Sequence, residues 1–152
     1  MPTTNSQANP PELTDSISMS LAVPATPVTE IIVCTTCRPE GASRESPAAG
    51  SVLLEAVLAQ HLEQPAARLQ VRGIACMSGC SRACTIAFQA AGKPTYYFGD
   101  LVADAETAGQ VLACGLLHAH NADGTLLRSQ RPERLRGGIL AKLPPFLAAA
   151  VE

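Results

Sequence analysis

The sequence has no tryptophan, and only two tyrosines and three phenylalanines among its 152 residues. Proteins that bind single-stranded nucleic acid stack bases on aromatic side chains, so this scarcity disfavours that class. The sequence also lacks an excess of charge of one sign, since the formal net charge is -2 and no block of like charge occurs. We therefore expect no nucleic-acid partner and no membrane surface as a partner.

Long hydrophobic runs are absent too, because no apolar stretch approaches the roughly 18 to 20 residues of a membrane-spanning helix. The amino terminus has neither the basic start nor the apolar run of a secretion signal, so we expect a cytoplasmic protein. Residues 1–27 are rich in Pro, Thr, Ser and Asn and are predicted to form a disordered tail. In a reducing compartment thiols stay free, and the six cysteines therefore indicate metal binding or redox chemistry.

The hydrophobic pattern predicts one α/β domain over residues 28–120. Apolar and β-branched runs predict strands at 28–34, 68–75, 85–90 and 93–98. A first helix is predicted at 52–63 with Ser51 as its cap, and a second follows the predicted cap Asp104 to about residue 118. Residues 121–152 are predicted to be a carboxyl-terminal extension that packs on the domain.

Five of the six cysteines lie in two short clusters, each at the end of a predicted strand. The first cluster is Cys34 and Cys37, and the second contains Cys76, Cys80 and Cys84. A strand, a helix and a second strand in one sheet normally form a right-handed crossover, which makes the two strands parallel. Parallel strands end at the same edge, so we expect the two clusters to meet at the edge where α/β sheets place their ligand sites.

Thiolates gathered at one place suit soft metal centres. A 2Fe-2S cluster and a tetrahedral zinc ion both accept sulfur ligands, whereas hard cations such as magnesium do not. The three residues between Cys76 and Cys80 are within the spacing of structural zinc sites, so spacing leaves both metals open. Arg38, Arg82 and the amide of Gly79 would raise a cluster's reduction potential, although all three are also ordinary loop residues.

Other candidate residues have simpler interpretations. Cys114 lies within the second predicted helix, where a lone cysteine is most often a packing residue. His118 and His120 could chelate cobalt or zinc, but at a helix end they are more simply explained by the helix dipole. No Ser, His and Asp arrangement, phosphate-binding loop or paired-carboxylate signature is present.

The segment Cys76-Met-Ser-Gly-Cys80, followed by an apolar strand, a tight turn and Tyr96-Tyr97-Phe98-Gly99, resembles the thioredoxin-like 2Fe-2S ferredoxins. It is similar as well to the related small subunit of respiratory NADH dehydrogenases. This resemblance implies a thioredoxin-like fold of order strand, helix, strand, strand, strand, helix. The ligands that it implies for the cluster are Cys34, Cys37, Cys76 and Cys80, with Cys84 as a replacement for Cys37 or a spare thiol.

A second resemblance covers residues 31–145. Cys34-Thr-Thr-Cys37-Arg38, the cysteines up to Cys84, Tyr97-Phe98-Gly99-Asp100-Leu101 and the late Arg131-Pro-Glu-Arg-Leu-Arg136 are similar to a bacterial family of predicted metal-binding proteins, DUF1636. This resemblance implies metal binding and a link to cobalamin biosynthesis.

Together these observations predict a metal-binding protein that carries electrons on a 2Fe-2S cluster and is not an enzyme. Its partner would be a redox protein, and the chain could also pair as a homodimer. One alternative is a protein that binds or delivers zinc or cobalt, in a pathway related to cobalamin. Another is thiol-disulfide exchange at Cys34 and Cys37, which would make the protein an enzyme.

Overall fold

The computed structural model describes residues 27–147, so the tail expected at residues 1–27 lies almost wholly outside the described residues. Its elements are β1 (Thr29–Cys34), α1 (Ala49–Glu63), β2 (Leu69–Ile74), β3 (Ile86–Gln89), β4 (Thr95–Phe98), α2 (Ala105–His120) and β5 (Ile139–Leu143). Two 3-10 turns, Cys80–Arg82 and Glu133–Leu135, lie between them. The predicted α/β order of strand, helix, strand, strand, strand, helix is confirmed, and β5 follows it.

One sheet holds all five strands in the order β2-β1-β3-β4-β5. β1 and β2 are parallel, while β3, β4 and β5 are each antiparallel to the neighbour before them. The parallel pair is the expected result of a right-handed strand-helix-strand crossover. β5, which the hydrophobic pattern did not predict, comes from the carboxyl-terminal extension and covers the outer edge of β4.

Both helices contact each other and β1. The core between the helices and the sheet contains Ile31 and Val33 of β1 together with Phe88 and Phe98, all fully buried. The two phenylalanine rings meet edge to face with their centroids 5.7 Å apart. Burying a side chain of this size contributes about 2 kcal/mol, so this small set of aromatic residues stabilises the domain strongly.

The helix caps differ between the two helices. Asp104 accepts a hydrogen bond at 2.8 Å from the amide of Thr107, as the sequence predicted for the cap of α2. α1 begins at Ala49, before the predicted cap Ser51, and it has no side-chain cap. Gly50 explains this start, because its amide donates a hydrogen bond at 3.0 Å to the carbonyl of Cys37.

No helix within residues 27–147 has the length and apolar character needed to cross a membrane.

Candidate metal centre

The two cysteine segments leave the sheet side by side. Cys34 ends β1 and is aligned with Ile74, which ends the parallel strand β2. Beyond the strands, the amide of Thr35 donates a hydrogen bond at 2.9 Å to the carbonyl of Ile74, and the hydroxyl of Thr36 donates one to the carbonyl of Ala75. The segment that contains Cys76 therefore begins directly beside the segment that contains Cys34.

Three of the five clustered cysteines are buried together, and we call Cys34, Cys37 and Cys84 the inner cysteines. Cys34 and Cys37 are each 1% exposed, and Cys84 is fully buried. Cys34 and Cys37 are close enough for each to affect the pKa of the other, and the charges of both would act on Cys84. The inner cysteines thus combine one residue from the end of β1, one from the following loop and one that precedes β3.

The backbone around the inner cysteines is fixed by hydrogen bonds and close packing. The amide of Cys34 donates to the carbonyl of Thr85 at 3.1 Å, and Cys84 exchanges two backbone hydrogen bonds with Leu101 at 3.1 and 3.2 Å. Gly50 packs so closely that a β-carbon there would lie 1.8 Å from the carbonyl oxygen of Cys34. Only glycine fits at this position unless the turn after β1 moves.

Hydrogen bonds and burial give the inner thiols different acidities. Burial opposes ionisation of Cys34, but hydrogen bonds from the Cys37 thiol, the Met77 amide and Thr36 outweigh it and lower its pKa to about 7. For Cys37, burial and the neighbouring Cys34 raise the pKa despite a hydrogen bond from Thr85. Burial, with the charges of Cys37 and Cys34, raises the pKa of Cys84 to about 11. Cys34 is therefore the first of the three to become a thiolate.

The other two clustered cysteines, Cys76 and Cys80, are exposed, and we call them the outer cysteines. They bracket a tight turn in which Ser78 adopts the left-handed conformation with φ of 59°. The amide of Ser78 donates a hydrogen bond at 3.3 Å to the sulfur of Cys76. The amide of Arg82 donates one at 2.8 Å to the carbonyl of Gly79, which closes the 3-10 turn after Cys80.

The donor chemistry of this region fits a soft metal centre, although its side chains do not converge on one point. Within residues 27–147, no group of three or more His, Cys, Asp or Glu side chains is arranged to hold a metal ion. The backbone nevertheless brings five sulfur atoms to one end of the β1 and β2 pair, and sulfur is the donor that iron-sulfur clusters and zinc prefer. The five cysteines are thus gathered at this end of the sheet without being arranged around one point.

The two arginines next to the cysteines have other partners. Arg82 forms a two-pronged ion pair with Asp100, and the guanidinium holds the pKa of that carboxyl below its usual range. Arg38 donates hydrogen bonds at 2.8 and 2.6 Å to the carbonyls of Ser43 and Ser46. The positive charge expected beside a cluster is therefore largely offset at Arg82, and at Arg38 it orders a loop.

The remaining candidates belong to the core. Cys114 is fully buried, and burial raises its pKa to about 12, so it remains a neutral packing residue. The interpretation of His118 by the helix dipole was wrong, because its ring is fully buried and burial lowers its pKa. Its Nδ1 lies 2.8 Å from the hydroxyl of Thr29 and its Nε2 lies 2.8 Å from the carbonyl of Pro94.

Two threonines beside the inner cysteines were not predicted from the sequence. Thr85 lies with its hydroxyl 3.4 Å from the sulfur of Cys37, and Thr36 lies with its hydroxyl 3.7 Å from the sulfur of Cys34. Both are immediate chain neighbours of clustered cysteines, which was a signal that could have indicated them. Hydrogen bonds of this kind orient ligands and adjust the electron density on sulfur.

Comparisons with known proteins bear on the same region. A family model described as "Protein of unknown function (DUF1636)" matches residues 31–145, which include all six cysteines. Among solved structures, the chain is similar to a thioredoxin-like [2Fe-2S] ferredoxin from Aquifex aeolicus at 15% sequence identity. The match covers 80% of this chain and 98% of the ferredoxin, with a TM-score of 0.47. No curated protein matches the chain.

Proposed function

We propose that this chain, which belongs to the DUF1636 family, is a metal-binding protein that carries electrons on a 2Fe-2S cluster. The observation that carries this proposal is the parallel pairing of β1 and β2, which places Cys34 beside Ile74 at one end of the sheet. Cysteines used only for packing have no reason to gather at strand ends from distant parts of a chain.

The ligands that we propose are Cys34, Cys37, Cys76 and Cys80, with Cys84 able to take the place of Cys37. When bound, a 2Fe-2S cluster would accept or release one electron at this end of the sheet. The hydroxyl of Thr85 and the amides of Met77 and Ser78 would donate hydrogen bonds to sulfur and so favour the thiolate forms. Such hydrogen bonds raise the reduction potential, because they offset negative charge.

Exposure of the outer cysteines supports electron transfer in particular. Cys76 and Cys80 are open to solvent, so a cluster that they bind would lie near the surface. An electron carrier needs this short path to its partner. We therefore propose a redox protein as the partner and no chemical conversion of a substrate by this chain.

Analysis of the protein after anaerobic purification tests the proposal. We expect iron and sulfide in equal amounts, a red-brown colour, and visible absorption that bleaches with dithionite. Protein with one zinc or cobalt per chain and no absorption that bleaches with dithionite would instead support metal binding or delivery without redox chemistry. Protein that takes up none of these metals when reconstituted would contradict the proposal.

Single serine variants of Cys37 and Cys84 identify the fourth ligand. We expect Cys37→Ser to lose the metal and Cys84→Ser to retain it. The opposite result would show that Cys84 is the ligand. Cys84 is the main competitor because it is buried beside the other two inner thiols. Cys114→Ser is the matched control, because this thiol is equally buried but lies on α2.

Thiol-disulfide exchange is the second candidate, and the lowered pKa of Cys34 beside the Cys37 thiol favours it. In this reaction the Cys34 thiolate attacks a substrate disulfide and releases one substrate thiol. The Cys37 thiol then displaces the second, which leaves a Cys34–Cys37 disulfide and two electrons on the substrate. Burial of Cys34 limits access to protein disulfides and weighs against this candidate. Turnover in a metal-free insulin-reduction assay, lost in Cys37→Ser, would establish it.

A further inference from the structure

The hydroxyl of Tyr97 is hydrogen-bonded to the turn between the outer cysteines. It donates to the carbonyl of Met77 at 3.0 Å, one residue after Cys76. Gly79, one residue before Cys80, packs so tightly against the same hydroxyl that a β-carbon at position 79 would lie 2.2 Å from the tyrosine oxygen. The side chain of Tyr97 therefore contacts the turn at both residues that adjoin the outer cysteines.

Tyr97 is itself held firmly. β4 lies between β3 and β5, and Tyr97 is aligned with Ala87 on one side and Ala141 on the other. Because it belongs to an interior strand, its ring cannot follow a moving loop. The turn that packs on the Tyr97 ring carries the two exposed thiols. If this turn were free to move, ordering the thiols on metal binding would cost conformational entropy.

We propose that Tyr97 is a positioning residue for metal binding, which holds the turn between Cys76 and Cys80 where both thiols can join the inner cysteines. This inference rests on the proposed function, because it names the residue that prepares part of the same site. Tyr97 touches no metal and acts through the carbonyl of Met77 and the close packing of Gly79. It also keeps in place the Ser78 amide, which donates to the sulfur of Cys76.

The neighbouring tyrosine provides a matched control. The hydroxyl of Tyr96 accepts a hydrogen bond at 3.0 Å from the amide of Leu126, and its ring is buried against Phe98. Tyr96→Phe removes the same hydroxyl from the same strand but leaves the cysteine turn untouched. It also leaves a buried amide unpaired, so we expect it to lower the Tm more than Tyr97→Phe does.

Cobalt(II) titration of the full chain compares the two variants. We expect Tyr97→Phe to bind cobalt about ten-fold more weakly than the wild type, as is usual when a group that supports metal ligands is lost. We also expect the thiolate-to-cobalt absorption band to shift, because hydrogen bonds to sulfur change. Tyr96→Phe should match the wild type in both measurements. Equal cobalt affinities for the two variants would overturn the inference.

Hydrogen exchange in the metal-free protein separates this inference from the proposed function. Removal of the Tyr97 hydroxyl should speed amide exchange in residues 76–82 about five-fold, which corresponds to the loss of one hydrogen bond. Exchange in β3 and β5 should stay unchanged. Faster exchange throughout the sheet would indicate a merely structural role and contradict the proposal. If the wild type bound no cobalt while this local effect appeared, the proposed function would fail but the hold of Tyr97 on the turn would stand.

Discussion

Polar side chains are buried at both ends of β1, but their hydrogen bonding differs between the two ends. At its start, Thr29, His118 and Lys93 are buried, and every one has a close hydrogen-bond partner: the Nζ of Lys93 donates to the carbonyls of His118 and Ala119 at 2.9 and 2.7 Å. At its end, the sulfur of Cys34 lies 3.7 Å from the hydroxyl of Thr36, and the sulfur of Cys37 lies 3.4 Å from that of Thr85. We therefore expect the polar side chains of the first end to contribute to stability through their hydrogen bonds, and we propose the second end as the ligand site.

Loss of a cysteine from the second end gives the largest expected effect. Cys34→Ser should weaken cobalt(II) binding more than about 100-fold, because a serine hydroxyl replaces the most acidic of the inner thiols. Cys114→Ser should leave cobalt affinity unchanged. Competition with a chelator of known affinity measures both variants. Equal losses in the two would erase the distinction between the cysteine end and the core.

Replacement of Lys93 tests the first end. Lys93→Met should lower the free energy of unfolding by about 2 kcal/mol, since the two carbonyls at the end of α2 lose their donor. Cobalt affinity should not change, because Lys93 lies at the opposite end of the sheet. Urea unfolding and cobalt titration of the same sample provide the two values, and a parallel fall in both would contradict the separation.

Acid should weaken the first end through His118. Burial lowers the folded-state pKa of His118 below its unfolded value of about 6.5, so the unfolded chain binds the proton more readily. Stability should therefore be complete above about pH 6.5 and fall as the pH drops toward the folded-state pKa, by at most about 1.4 kcal/mol per pH unit. His118→Gln should flatten this slope. Urea unfolding between pH 7 and pH 5 measures the free energy of unfolding of both proteins. An equal pH dependence in His118→Gln and the wild type would show that His118 is not its source.

The smallest effect is expected at the ion pair beside the cysteine end. Arg82 and Asp100 are each about half exposed, and exposed pairs contribute little to stability. Arg82→Gln should leave the unfolding midpoint unchanged within error. A large drop in that midpoint would show that the cysteine end is also a structural centre.

The approach of the two cysteine-bearing segments at one end of the sheet could be predicted from sequence, because it depends on local signals. Strand runs that end in cysteine, a helix between them and the handedness of the crossover suffice to place Cys34 near Cys76. The strand β5 could not be predicted, because its half-exposed residues become a strand only by pairing with β4. The burial of His118 likewise depends on Thr29 and Pro94, which are distant in sequence.

The division into inner and outer cysteines was also beyond the sequence. All five occur in loops or at strand ends, and nothing in their neighbours distinguishes the buried Cys84 from the exposed Cys80. The difference arises because Cys84 exchanges backbone hydrogen bonds with Leu101, while Cys80 begins a surface turn. The sequence singled out Tyr97 only within segments that resemble two known families. Its contact with Met77 exists only in the folded chain.

The position of β2 at the margin of the sheet has a consequence for solubility. Among residues 27–147 no strand pairs with its outer side, and such margins invite a second chain to add a strand. Arg72 lies in the middle of β2, half exposed and paired with Glu30, and burial of this charge would penalise such an intruder. We therefore expect Arg72 to disfavour the addition of a foreign strand beside the segment that leads into Cys76.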